Sequence, residues 1–183
     1  MTKLDDIYEA VDDFGLITSA EARELGVSNA ELVQYADRGR LTRVARGVYQ
    51  MPIWPYQEEG YYAIVVRAAG DGAYLLGESV VALLDLAPTD PRRLWIGTPR
   101  RVRRNVGAGI KIVHRPPTDV ICAYRGVPCQ SLKEAIKLGA KMTMGPDRAK
   151  EAAINGMRLG YLTEQDVADI QVDWSQYNGE TTK

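Results

Sequence analysis

Histidine and cysteine are almost missing from this chain: His114 stands alone, and Cys122 and Cys129 are the only two thiols in 183 residues. Two cysteines cannot build a disulfide framework, no CxxC pair or His-rich cluster accompanies them, and a zinc site lacks its four ligands. They read as small buried or half-buried side chains. Reacting groups are equally scarce. No recognisable motif sets a serine or cysteine beside the histidine, and G-x-S-x-G, H-E-x-x-H and Walker A patterns are absent. Gly107-Ala108-Gly109 lacks the spacing and strand-to-helix setting of a dinucleotide loop, and Pro146-Asp147 has no D/E-x-K partner that would complete a nuclease metal site. The expectation is a protein that is not an enzyme, with no metal and no cofactor.

Long hydrophobic runs are also lacking. The most apolar stretch, Tyr61–Val66, stops at Arg67, far short of a membrane span, and the opening MTKLDDIYEA carries no apolar signal core. A cytoplasmic protein of bacterial type with no membrane partner is expected. Neither sign of charge dominates: 23 Lys and Arg stand against 24 Asp and Glu, for a net charge of −1. That argues against a wholly basic nucleic-acid coat protein, but the distribution of charge matters more than its sum. With 45% hydrophobic residues, the chain can bury the core of one compact domain or two small ones.

What is present begins with helix starts. Leu4, Ile7, Tyr8, Val11 and Phe14 recur at helical spacing, and Gly15 is expected to end that helix. Thr18-Ser19-Ala20-Glu21 has the S/T-x-x-E form, in which a hydroxyl caps the first turn and the glutamate caps back. Ser28-Asn29-Ala30-Glu31 repeats it ten residues later. Two capped starts so close together predict two short helices joined by a tight turn at Gly26, with small Ala22 at their approach and Leu25, Leu32 and Tyr35 turned inward. That is the pattern of a helix-turn-helix. Leu41–Val44 and Val48–Met51 then read as a hairpin with Arg46 at its tip, which completes a winged helix-turn-helix over residues 1–52. Pro52 and Pro55 mark a connection.

Residues 57–175 read as a mixed α/β domain, so the expected fold class is α+β. Helices are expected through about Ala69, over Glu78–Leu86 ended by Pro88, from the cap Ser131-Leu132-Lys133-Glu134, over Asp147–Leu159, and from Thr163. Strands are expected in RRLWIGTP and GIKIVHRP, and a third strand and a turn in DVICAYRGVPC. Residues 176–183 form a polar tail.

Between Arg92 and Arg115, eight of 24 positions are basic and none is acidic. The densest piece, GTPRRVRRNVGAG, lies between two predicted strands, where a loop or hairpin tip would project Arg100, Arg101, Arg103 and Arg104 together. They lack local carboxylates, so a polyanion or an acidic partner would offset their repulsion, and each guanidinium can grip a phosphate through two donors. On the second capped helix, Ser28, Asn29, Gln34 and Arg38 could reach base edges or phosphates; amides suit adenine and Arg suits guanine. Arg40, Arg43, Arg46 and Tyr49 would grip the backbone from the hairpin.

The run GLITSAEARELGVSNAELVQYADRGRLTRVARGVYQMP resembles the N-terminal winged helix of AbiEi-type antitoxins of type IV toxin–antitoxin systems. The form L-x-R-V-x-R-G-V-Y is met by Leu41, Arg43, Val44, Arg46, Gly47, Val48 and Tyr49. More loosely, Gly77-Glu78-Ser79, the arginine-rich stretch before His114-Arg115, and G-V-P-x-Q-S extend the likeness over residues 57–170. The resemblance implies a regulator whose winged helix binds double-stranded DNA at its own operator and represses it. It implies further that the C-terminal domain counteracts a cognate nucleotidyltransferase-like toxin. Two other readings stand beside it: a solitary winged-helix regulator without a toxin, and a protein-interaction module whose winged helix is a scaffold docking an acidic partner.

Overall fold

The computed structural model describes residues 2–90 and 92–171; the expected tail at 176–183 lies outside them. The chain is a mixed α+β protein. It divides into two compact units, Met1–Asp71 with Arg104–Val106, and Gly72–Arg103 with Gly107–Lys183.

The first unit runs α1 (Lys3–Ala10), β1 (Leu16–Thr18), α2 (Ser19–Glu24), α3 (Asn29–Asp37), β2 (Thr42–Ala45), β3 (Val48–Gln50) and α4 (Gly60–Ala69). Its helix starts are fixed locally. Thr18 and Ser28 each accept a hydrogen bond from the backbone N–H three residues on, while Glu21 and Glu31 accept from the capping residues in return. Thr2 and Asp5 do the same for α1, a cap the sequence reading did not identify. Gly26, at φ 76°, makes the tight turn between α2 and α3.

Helix α1 is shorter than expected. It ends at Ala10, and Val11 is already extended. The Asp12 carboxylate competes with the helix by accepting the backbone N–H groups of Phe14 and Leu16, both at 2.9 Å. Gly15 therefore serves a different purpose: it holds φ 68° under the Trp54 ring, where a Cβ would lie 2.4 Å from the indole.

That turn delivers β1, which the sequence reading missed, against β3. The sheet order is β1-β3-β2, all antiparallel, with Ile17 opposite Tyr49 and Ala45 opposite Val48. Arg46-Gly47 is left as the hairpin loop, and its Gly47 carbonyl accepts from the Ser19 N–H at 2.9 Å, pinning the tip to the start of α2. Ile7, Ile17, Ala22, Val27, Leu32, Leu41 and Tyr49 form the core, with Leu25 and Tyr35 packed against it. Burying each large aliphatic side chain here contributes roughly 1.5–3 kcal/mol.

The compact unit continues past Pro52 and Pro55 to Asp71. Helix α4 belongs to it because Arg67 reaches back to the Asp12 carboxylate at 2.7 Å and also pairs with Glu21. Trp54 and Gln57 both donate to the Asp13 carbonyl, so the proline-marked segment is tied down as well.

The second unit holds β4 (Tyr74–Leu75), α5 (Glu78–Leu83), β5 (Leu94–Thr98), β6 (Ile110–His114), β7 (Ile121–Tyr124), β8 (Val127–Gln130), α6 (Leu132–Gly139), a π-helical turn (Ala140–Met144), α7 (Gly145–Arg158) and a helical stretch at 164–171. Its sheet is mixed, in the order β6-β5-β4-β8-β7. Leu75 lies beside both Ile96 and Cys129, and Ile96 beside Ile112. Burial of Cys129 among these groups pushes its thiol up to about 12. The DVICAYRGVPC segment is two strands rather than one, paired as a tight hairpin. Helix α5 ends at Leu83, earlier than expected, and Ser131 stands at the start of α6 without a side-chain cap bond.

Gly77-Glu78-Ser79 is a structural joint. The Gly77 N–H donates to the buried Gln130 amide oxygen at 3.2 Å, and the Ser79 hydroxyl oxygen accepts the Trp95 N–H at 2.7 Å. Buried Glu78 accepts from Thr143, Arg148 and the Asp90 N–H, which links α5 to the π-helical turn and α7. No helix among the described residues is long and apolar enough to cross a membrane.

Candidate nucleic-acid interface

Helix α3 is mounted by one apolar face. Leu32 is fully buried and Tyr35 and Ala36 are half-buried, while Asn29, Ala30, Val33, Gln34 and Asp37 are exposed. The two faces follow from the 3.6-residue period: inward positions recur at three and four, and so do outward ones. At its start, the Ser28 hydroxyl accepts from the Glu31 N–H at 3.2 Å and donates to the Glu31 carboxylate at 2.8 Å. That carboxylate also receives Lys3 at 2.8 Å. The Lys3 hydrogen bond, with those from Ser28, lowers the Glu31 carboxyl to about 2. Ser28 is thus exposed but engaged in setting where α3 begins, and α1 is pinned to that start through Lys3.

Asn29 and Gln34 are exposed on α3, as expected for groups that could meet a base edge. Arg38 is the C-cap residue of α3, and Arg40 follows on a backbone fixed by the Tyr8 hydroxyl, which donates to the Arg40 carbonyl at 2.7 Å. Arg43 lies on β2 and Arg46 at the hairpin tip. All four arginines are exposed, and among the described residues none has a carboxylate within ion-pair distance. The first unit thus brings Asn29, Gln34, Arg38, Arg40, Arg43 and Arg46 onto one short stretch of helix, turn and hairpin.

Tyr49 does not join them: contrary to its expected role as a backbone contact, its side chain is buried. It sits on the central strand of the three-stranded sheet, opposite Ile17, and is 3% exposed. Arg43 is paired in register with Tyr49, so both side chains lie on one face of the sheet; β2 is an edge strand and leaves Arg43 exposed, whereas β3 is central and holds the Tyr49 ring in the core.

The arginine-rich segment differs from the expected hairpin tip. Strands β5 and β6 are parallel, with Leu94 beside Ile110 and Thr98 beside His114, so residues 99–109 form a crossover rather than a turn. Of the eight bases in this window, Arg92 and Arg93 pair with Asp90, and Arg115 chelates Asp119 at 2.9 Å. Asp119 also accepts the Tyr74 hydroxyl at 2.7 Å. The hydrogen bond from Arg115 holds the Asp119 carboxyl below the usual range. Lys111 on β6 and the crossover residues Arg100, Arg101, Arg103 and Arg104 remain exposed, without a carboxylate partner among the described residues. By contacts Arg104 groups with the first unit and the other three arginines with the second.

The sequence reading missed the trio Arg67, Asp12 and Glu21. Burial pushes the Glu21 carboxyl up, but hydrogen bonds from Thr18 and the Arg67 guanidinium outweigh it and leave the carboxyl below its ordinary value. Glu21 therefore caps α2 and ties it to α4 together. The available signal was the lone arginine within the apolar run of α4, a position that calls for a carboxylate partner elsewhere in the chain. The reading also passed over Ala30 and Val33, which their four-residue offset from Gln34 and Asn29 places on the exposed face.

Within the first unit, α1–α3 and the three-stranded sheet present an exposed, polar-tipped helix with unpaired arginines beside it. Residues 6–52 match a protein family described as transcriptional regulator, AbiEi antitoxin. The match begins in α1 and ends at Pro52, two residues past β3. No curated protein matches the chain.

Proposed function

We propose that this protein is a sequence-specific DNA-binding regulator that represses its own operon and serves as an antitoxin against a nucleotidyltransferase-type toxin. In this reading the head is a winged helix-turn-helix: α3 enters the major groove and the β2–β3 hairpin is the wing. Asn29 and Gln34 meet base edges; Arg38, Arg40, Arg43 and Arg46 grip phosphates; Ser28 holds the start of the helix. Arg100, Arg101, Arg103 and Arg104 supply further phosphate contacts. The carrying observation is the set of four exposed, unpaired arginines immediately after and beside the exposed face of α3, within the segment matched by the regulator family. Unpaired guanidinium groups repel one another, and a polyanion relieves that repulsion.

The test is a mobility-shift experiment with the DNA upstream of the protein's own gene. A shifted complex that Arg43→Ala and Arg46→Ala weaken supports the reading. No shift with any duplex contradicts it, and would favour the second reading, in which the four crossover arginines dock an acidic protein. The antitoxin role is tested separately: co-expression should restore growth to cells poisoned by a nucleotidyltransferase encoded beside this gene.

A further inference from the structure

The exposed face of α3 consists of two parallel rows four residues apart, Asn29–Val33–Asp37 and Ala30–Gln34–Arg38. Between Asn29 and Asp37 there is no Lys or Arg, so the helix lacks the side chains that most often read guanine. It carries instead two amides and two small aliphatic groups. Val33 is the anomaly among them: a β-branched residue, 44% exposed, at a position where a lone surface helix would favour a long polar side chain. It lines, with Ala36, Asp37, Leu41, Thr42 and Arg43, a shallow depression between α3 and the hairpin. Its methyl groups are thus held beside a cation free to take a phosphate.

We infer that this face reads A·T base pairs, with Val33 the specificity-determining contact to a thymine methyl. The inference rests on the reading of α3 as the groove-entering helix. Adenine offers N7 as acceptor and N6 as donor in the major groove, matching the carboxamides of Asn29 and Gln34. Thymine offers the C5 methyl, matching Val33 and Ala30. Asp37 accepts only, which suits an adenine or cytosine amino group. Arg38, at the helix end, is the first group that suits guanine or a phosphate. With nine residues at about 1.5 Å each, α3 spans about four base pairs, so the chemistry of these six positions sets the centre of the site.

The test uses the full chain. Selection from a random duplex pool should enrich A·T pairs at the centre of each recovered site. Replacing one central thymine by deoxyuridine removes only the methyl group and should weaken binding about fourfold, the worth of one buried methyl. Val33→Ala should bind the thymine and uracil duplexes alike while keeping the wild-type salt dependence. Recovered sites centred on G·C, or equal binding of thymine and uracil duplexes by the unaltered chain, would overturn this inference while leaving DNA binding intact. Absence of binding to any duplex, or binding indifferent to every change on α3, would instead bring down the recognition-helix reading together with this one.

Discussion

Arg43 and Tyr49 face each other in register across the hairpin, yet one is in water and the other in the core. The pair makes a direct test of the division between contact and scaffold. Tyr49→Ala should cost about 3 kcal/mol or more of stability, the usual result of emptying an aromatic site, measured by urea unfolding. Arg43→Ala should leave stability within about 0.5 kcal/mol and weaken binding to all DNA sequences alike, measured by fluorescence anisotropy. Arg67 is a third case. Its guanidinium joins two carboxylates but remains about a quarter exposed, so solvent screens the pairing. Arg67→Ala is expected to cost about 1–2 kcal/mol, and high salt should narrow the gap between variant and wild type. A larger loss in DNA affinity than in stability would give Arg67 a direct contact that its position does not.

Gly15, before β1, and Gly26, after α2, separate backbone strain from crowding. Gly26 has open space where a Cβ would go, so Gly26→Ala should lose only the roughly 1–2 kcal/mol of a left-handed alanine, and Gly26→Asn less. Gly15 lies under Trp54, so its alanine variant must also displace the indole and should unfold at distinctly lower denaturant. The caps respond to acid. Glu31 and Glu21 both titrate below their ordinary value of 4.5 when folded. Their ionisation therefore favours the folded head above that value and ceases to do so as pH falls, for Glu31 fully by about 2. Glu31→Gln keeps an acceptor for Ser28 but removes this linkage, so its denaturation midpoint should drop less between pH 6 and pH 3 than that of wild type. Parallel losses would contradict the assignment.

The caps were legible in the sequence because their signal is local, three residues from hydroxyl to carboxylate. So were Gly26 and the Arg46 tip, each marked by its own residue type. Strands β1 and β4 were not, since three and two residues carry no period and only a distant partner makes them strands. The arginine-rich segment was legible as charge but not as shape: strand, loop and strand read alike whether the pairing is antiparallel or parallel, and only the β6-β5-β4 order makes residues 99–109 a crossover. Tyr49 was misread for a related reason, because its neighbours Arg43 and Arg46 point to solvent and only the third strand, β1, makes β3 central. The exposure of Asn29 and Gln34 was legible, since amphipathic spacing along α3 decides it.

At the scale of the molecule the question is charge. A net charge of −1 gives no long-range pull toward DNA, so the proposed binding rests on the concentrated cations: four beside α3 and four on the crossover, none neutralised by a carboxylate among the described residues. If about six of them meet phosphates, each contact releases counterions and the affinity becomes steeply dependent on salt. The affinity of the full chain for its upstream DNA, followed as salt is raised, is therefore the most direct test. The expected slope of log K against log salt is roughly −5, falling in magnitude by about one for each of Arg38, Arg40, Arg43 and Arg46 changed to alanine. An affinity indifferent to salt, or a slope that none of the four substitutions alters, would contradict the account.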